Sequence, residues 1–133
     1  MLLRSLERDQ LFRLLPLLIW CGVIFAFSEM PGNGQSGEPP LWYVLERKSA
    51  HVFEYAVLAF LSYRFFVSIY PRETWVRIAT LVMAFGLAYG ALDEFHQSFI
   101  FGRGARLTDV AIDGLGIGIG LAIIFALSKR GER

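Results

Sequence analysis

Four apolar runs, each about as long as a bilayer is thick, limit the folds open to this chain. They cover residues 11–27, 50–69, 75–92 and 107–127. A helix needs ~17–25 residues to cross ~30 Å of hydrocarbon, and each run fits. Lipid offers no water to unpaired backbone groups, so a crossing segment is either a helix or a strand of a closed barrel. A barrel needs many more crossings. The expected fold is therefore all-α: a polytopic membrane protein, an antiparallel bundle of four transmembrane helices in one domain over residues 1–133. Composition agrees, at 55% hydrophobic residues and a mean hydropathy of +0.48, above the usual soluble share.

The connections fit this topology. Pro31, Gly32, Gly34, Gly37, Pro39 and Pro40 make the first a loop. Tyr70-Pro71-Arg72-Glu73 makes the second a tight turn, and Phe101-Gly102-Arg103-Gly104 a short third. Nine of the 13 basic residues fall on one side: Arg4, Arg8, Arg13, Arg64, Arg72, Arg77, Lys129, Arg130 and Arg133. Arg47, Lys48, Arg103 and Arg106 fall on the other. The positive-inside rule then places both termini in the cytoplasm and the first loop and the 93–113 region outside. The first run has a second reading, because Arg4, Arg8 and Arg13 precede it and Ala26-Phe27-Ser28 resembles a cleavage site. Its length and the nearby Pro31 favour a retained helix; cleavage would leave three spans.

Ionisable groups cluster at the ends of these runs, where their cost asks for a functional reason. Lys48, His51, Tyr55 and Ser62 share one face of the second helix at offsets 0, 3, 7 and 14. Gly86, Gly90, Asp93 and Gln97 share one face of the third at offsets 0, 4, 7 and 11, and Asp109, Asp113, Gly116 and Gly120 repeat that spacing on the fourth. Small residues let helices approach closely in lipid. The three faces are expected to meet and gather their polar ends into one outward-opening pocket. The glycines read first as packing motifs. Gly114, Gly116, Gly118 and Gly120 lie inside an apolar run after no strand, which excludes a phosphate loop.

Asp109 and Asp113 have an ordinary reading, as partners of Arg103, Arg106 or Lys48, and a functional one, as ligand contacts. His51 and His96, with an unperturbed pKa of ~6.5, titrate near neutrality. With Asp93 and Glu94 they offer metal-ligating residue types, but no dedicated metal spacing is present. No metal or other cofactor is therefore expected. Cys21 is the lone cysteine, which excludes an intramolecular disulfide. The net charge of +1 gives no case for nucleic acid. On the outer side, Glu29, Glu38, Glu46, Glu54, Asp93, Glu94, Asp109 and Asp113 outnumber the four bases, so a simple phosphate trap does not fit. Lys48, Arg103 and Arg106 suit an anionic head group, while the carboxylates suit hydroxyls, amides or amines.

These residues carry a family resemblance. Lys48-Ser49-Ala50-His51-Val52-Phe53-Glu54-Tyr55 resembles the KxxHxxxY-type segment of VanZ-like membrane proteins. Tyr89-Gly90-Ala91-Leu92-Asp93-Glu94-Phe95-His96-Gln97, followed by Gly102-Arg103 and Asp109, resembles their YGxxDExxQ…GR…D segment. The later polar position is often Asn in that family, and Asp113 stands at or near it here. The resemblance implies a small multi-pass protein of the bacterial inner membrane and cell envelope. It also implies a link to resistance against the glycopeptide teicoplanin, with which the name-giving member is associated.

The leading expectation is a non-enzymatic protein that binds membrane lipid, a lipid-linked cell-wall precursor or a glycopeptide. Lys48, His51, Tyr55, Asp93, Glu94, Gln97, Arg103, Asp109 and Asp113 would form its ligand-binding set. One alternative is an integral-membrane hydrolase or transferase acting on a lipid-linked substrate, with His51 or His96 as general base and Asp93, Glu94 or Asp109 orienting it. No activated nucleophile is recognisable, because Ser49 and Ser98 do not face the histidines two residues away. Another is a small ion-coupled transporter relaying protons through Asp113 and His51, which would require a homo-oligomer.

Overall fold

A computed structural model describes residues 2–31, 40–103 and 106–131. Gly32, Gly34, Gly37, Glu38 and Pro39 of the first connection, Gly104 of the third, and the side chains of Arg4 and Arg133 lie outside the described residues. The described chain forms four helices: α1 (Leu2–Ser28), α2 (Leu41–Ile69), α3 (Trp75–Gln97) and α4 (Leu107–Gly131). All four contain a stretch long and apolar enough to cross a membrane.

The helices outrun the apolar runs. α2 begins at Leu41 rather than near residue 50, and α3 continues to Gln97 rather than stopping near 92. Hydropathy marks only the part suited to lipid, whereas backbone hydrogen bonding continues through the good helix formers Glu46, Arg47 and Lys48. At ~1.5 Å per residue α2 is roughly 44 Å long, more than the hydrocarbon thickness. Its first turns place Trp42, Tyr43 and Arg47 where an aromatic and basic belt belongs. Pro40 starts it from an extended conformation (φ −61°, ψ 146°). Thr74 caps α3 by accepting a hydrogen bond from the Arg77 backbone N–H at 3.4 Å.

α2 is the central helix. It packs on all three others and most extensively on α4; α3 bridges α1 and α4, which do not meet among the described residues. Lipid tails supply no hydrophobic drive for helix association, so close backbone packing must hold such a bundle. Gly116 and Gly120 provide it. A Cβ at Gly116 would lie 2.6 Å from the Val52 carbonyl oxygen, and one at Gly120 2.7 Å from that of Ala56. At the α3–α4 crossing Gly86 receives the Ile117 side chain and Gly90 lies under Asp113.

The distribution of side chains is reversed from that of a soluble bundle. Phe12, Phe53, Leu92, Phe95 and Ile123 are exposed, while Ser28, Asp93, Glu94, Gln97 and Asp113 are buried. The apolar core is thin, formed by Leu17, Ile24, Tyr55, Leu58, Ala59, Ile78, Val82, Ile117 and Leu121. Apolar surface facing outward costs nothing in hydrocarbon, and polar groups are best satisfied inside. The chain is a multi-pass membrane protein.

A buried polar cluster at one end of the bundle

Antiparallel packing brings four chain ends together: the C-terminal ends of α1 and α3 and the N-terminal halves of α2 and α4. Every residue expected to form the site lies there, but the residues divide into separate groups.

The innermost group joins α2, α3 and α4. His51 Nδ1 lies 2.9 Å from Asp113 Oδ1, and the Asp113 side chain has no solvent exposure. Asp113 Oδ2 has no hydrogen-bond partner among the described residues. It sits 2.8 Å from the point a Gly90 Cβ would occupy, with the Tyr55 ring 3.4 Å from the same point. Any larger residue at position 90 would displace the carboxylate. The Tyr55 hydroxyl is also buried without a partner. Its ring lies parallel to that of His51, at 6.5 Å between centroids. The face holding His51 and Tyr55 thus meets the face holding Asp113. Ser62, lower on that face, stays out of the group because its hydroxyl donates to the Leu58 carbonyl at 2.7 Å.

The second group joins α1 to α3. The Ser28 hydroxyl donates to Asp93 Oδ1. Gln97 Nε2 donates to Ser28 Oγ at 2.8 Å and to Asp93 Oδ2 at 2.7 Å. All three residues are buried, so both carboxylate oxygens of Asp93 are occupied by protein donors. Ser28 had no place in the sequence-derived constellation. A lone serine at a helix end gives no periodic signal, and only the packing of α1 reveals its role. Further side-chain bonds hold α1, among them the Trp20 indole N–H to the Glu54 carbonyl at 2.9 Å and the Tyr89 hydroxyl to the Cys21 carbonyl at 2.6 Å.

The remaining residues lie toward the rim. Lys48 Nζ is 3.5 Å from Asp109 Oδ1, and both side chains are partly exposed, so this pair contributes little to stability. His96 pairs with Glu29 at 2.5 Å and lies against the Phe25 ring at a tilt of 36°, on the α1 side rather than with His51. Glu94 Oε2 accepts the Arg106 backbone N–H at 3.0 Å, whereas its buried Oε1 is unpartnered. Gly102, with φ 74°, adopts a left-handed turn. Beyond that turn Arg103 Nη2 donates to the Phe27 carbonyl at 3.1 Å, and Nε has no partner among the described residues. Burial, followed by the neighbouring Arg47, lowers the Arg103 pKa; a guanidinium still remains charged at neutral pH.

These contacts change several expected pairings. The carboxylate that orients His51 is Asp113, not Asp93, Glu94 or Asp109. Asp113 in turn pairs with none of Arg103, Arg106 or Lys48. His51 and His96 do not come together, and among the described residues no three His, Cys, Asp or Glu side chains converge in an arrangement able to hold a metal ion. Ser49 and Ser98 donate to carbonyls of their own helices, at 2.9 Å to Glu46 and 2.6 Å to Phe95. Apart from the cluster, an apolar groove between α3 and α4 near the opposite end is lined by Trp75, Val76, Met83, Leu87 and Leu121.

Comparison with curated proteins gives no match, and neither does comparison with solved structures. The family model described as VanZ/LLP1 matches residues 12–128, a stretch containing all but the first residue of the four apolar runs and every residue of the cluster. On that match, this chain belongs to the VanZ/LLP1 family.

Proposed function

We propose that this protein sits in the bacterial inner membrane with both termini in the cytoplasm, and that its polar end faces outward to bind a lipid head group or envelope precursor. One observation carries the reading. At that end four buried polar atoms from different segments lack a protein partner among the described residues: Tyr55 OH, Glu94 Oε1, Arg103 Nε and Asp113 Oδ2. Each such group costs roughly 1–3 kcal/mol if left unmade, so a ligand or water that completes them is favoured. The mixture of donor and acceptors suits a polar head group, and the exposed apolar helix faces suit its acyl chains. Sequestering or altering the display of an envelope precursor would link such a protein to tolerance of teicoplanin.

Identification of co-purifying lipids by native mass spectrometry provides the test. Wild-type protein should retain a defined lipid that Arg103→Ala loses. A wild-type protein carrying no lipid, in a strain whose envelope phenotype is unchanged by that substitution, would end this proposal.

The paired His51 and Asp113 support a second reading, hydrolysis or transfer on a lipid-linked substrate. A carboxylate on Nδ1 fixes the tautomer that leaves Nε2 as a base. Turnover of a lipid-linked substrate that disappears in His51→Gln would favour this reading over binding alone.

A further inference from the structure

The unpartnered atoms differ in what they demand. Three are oxygens on buried side chains: Asp113 Oδ2, Tyr55 OH and Glu94 Oε1. Tyr55 and Asp113 are fully buried and Glu94 is 3% exposed. Asp113 Oδ2 and the Tyr55 ring approach the same point above Gly90. Glu94 stands one helical turn beyond Gly90 on α3, hence on the same face. Asp93 is excluded, because Ser28 and Gln97 occupy both its oxygens.

The local charge is unbalanced in the same direction. Asp93, Glu94 and Asp113 are buried, and among the described residues only His51, with Asp113, supplies a cationic partner in their side-chain contacts. Lys48 is engaged with Asp109 at the rim. Buried carboxylates without compensating donors are costly, and a cation with hydrogen atoms to donate would offset that cost. A primary ammonium has three N–H donors and no acceptor, matching three oxygens. Arg103, whose Nε has no partner among the described residues, carries the fixed positive charge that an anion would need.

Resting on the head-group reading above, we propose that Asp113, Tyr55 and Glu94 receive a primary ammonium, and that Arg103 takes a phosphate on the same molecule. The ligand class is a phosphoethanolamine-type zwitterion, either on a lipid or as a free phosphorylated amine. The Tyr55 hydroxyl acts as acceptor toward the ammonium, the two carboxylates balance its charge, and the His51 pairing holds Asp113 in place.

The discriminating comparison uses phosphatidylethanolamine, phosphatidylcholine and phosphatidylglycerol in equal amounts in nanodiscs holding the full-length protein, with retained lipid counted after extraction. The choline head group carries the same charge but no N–H. The ethanolamine lipid should be retained over the choline lipid by about tenfold or more, because choline forfeits every N–H donor and one charge-assisted hydrogen bond alone is worth about that ratio. Tyr55→Phe, which removes one oxygen and preserves the ring, should bring the ratio toward unity without lowering the unfolding temperature; Asp113→Asn should do the same if it folds. Soluble phosphoethanolamine should compete where phosphocholine does not, and competition at equal concentration to the lipid would assign the site to a free amine. Equal retention of the ethanolamine and choline lipids, or an unchanged ratio in Tyr55→Phe, overturns the ammonium assignment. Retention of phosphatidylglycerol alone overturns it while preserving the head-group reading; retention of no lipid and no soluble ligand overturns both.

Discussion

His51 on α2 and Asp113 on α4 meet at 2.9 Å with the Asp113 side chain fully shielded from solvent. The contact crosses the most extensive helix interface in the bundle and lies next to the glycine-mediated approach of the same two helices. A charged or strongly polar pair in this position depends on the packing around it, and the packing depends on the pair being complete.

Removing one partner should therefore harm the protein more than removing both. His51→Ala leaves Asp113 buried and unpaired, at an expected cost of ~3–5 kcal/mol. The double variant His51→Ala/Asp113→Ala should recover a substantial part of that loss. Reversible unfolding in mixed micelles would measure the coupling; additive effects would show that the contact carries no energy.

The glycines of α4 should separate sharply by position. Gly116→Ala and Gly120→Ala place a Cβ against α2 backbone oxygens, which cannot rotate away. Each should cost about 1–3 kcal/mol. At Gly118 a Cβ meets nothing within 4 Å, so Gly118→Ala should be neutral or stabilising by about 0.4–1 kcal/mol. Unfolding temperatures of the three variants in one detergent make the comparison, and equal losses would contradict the packing described for α2 and α4.

Ser28 should matter as a clamp between α1 and α3. Ser28→Ala removes a donor to Asp93 and an acceptor of Gln97, with an expected loss of about 1–3 kcal/mol from the buried groups left behind. Ser28→Ala and Gln97→Ala together should be less than additive, because both act on Asp93. Faster hydrogen exchange confined to the α1–α3 end in Ser28→Ala would locate the effect; an unchanged exchange pattern would remove Ser28 from that role.

Orientation is open to a direct labelling experiment. In a Cys21→Ser background, a cysteine replacing the exposed Ser98 should react with an impermeant maleimide on intact cells. One replacing the exposed Ser128 should react only after permeabilisation. The opposite pattern would reverse the topology inferred from the basic residues.

Much of the site could be read from spacing, because a helix presents residues three and four apart on one face. That rule placed His51 with Tyr55 on one helix and Asp113 above Gly116 and Gly120 on another. Spacing within a helix carries no information about the rotation of its neighbour. It could not choose Asp113 over Asp93 as the partner of His51, nor separate His96 from His51, nor bring Ser28 to Asp93. Helix ends were blurred for a related reason: hydropathy falls where lipid would end, but the hydrogen-bonded helix of α2 extends back to Leu41.

By itself the sequence determined that four helices long and apolar enough to cross a membrane must form, and that the costly charges of this chain gather at one end. Both follow from local properties, the length of an apolar run and the turn of a helix. Tertiary structure alone decided that Asp93 is consumed by Ser28 and Gln97 while Asp113, Tyr55 and Glu94 retain an open valence. Which donors reach a buried carboxylate depends on how closely neighbouring backbones approach, and at this end Gly90 and Gly116 set that distance.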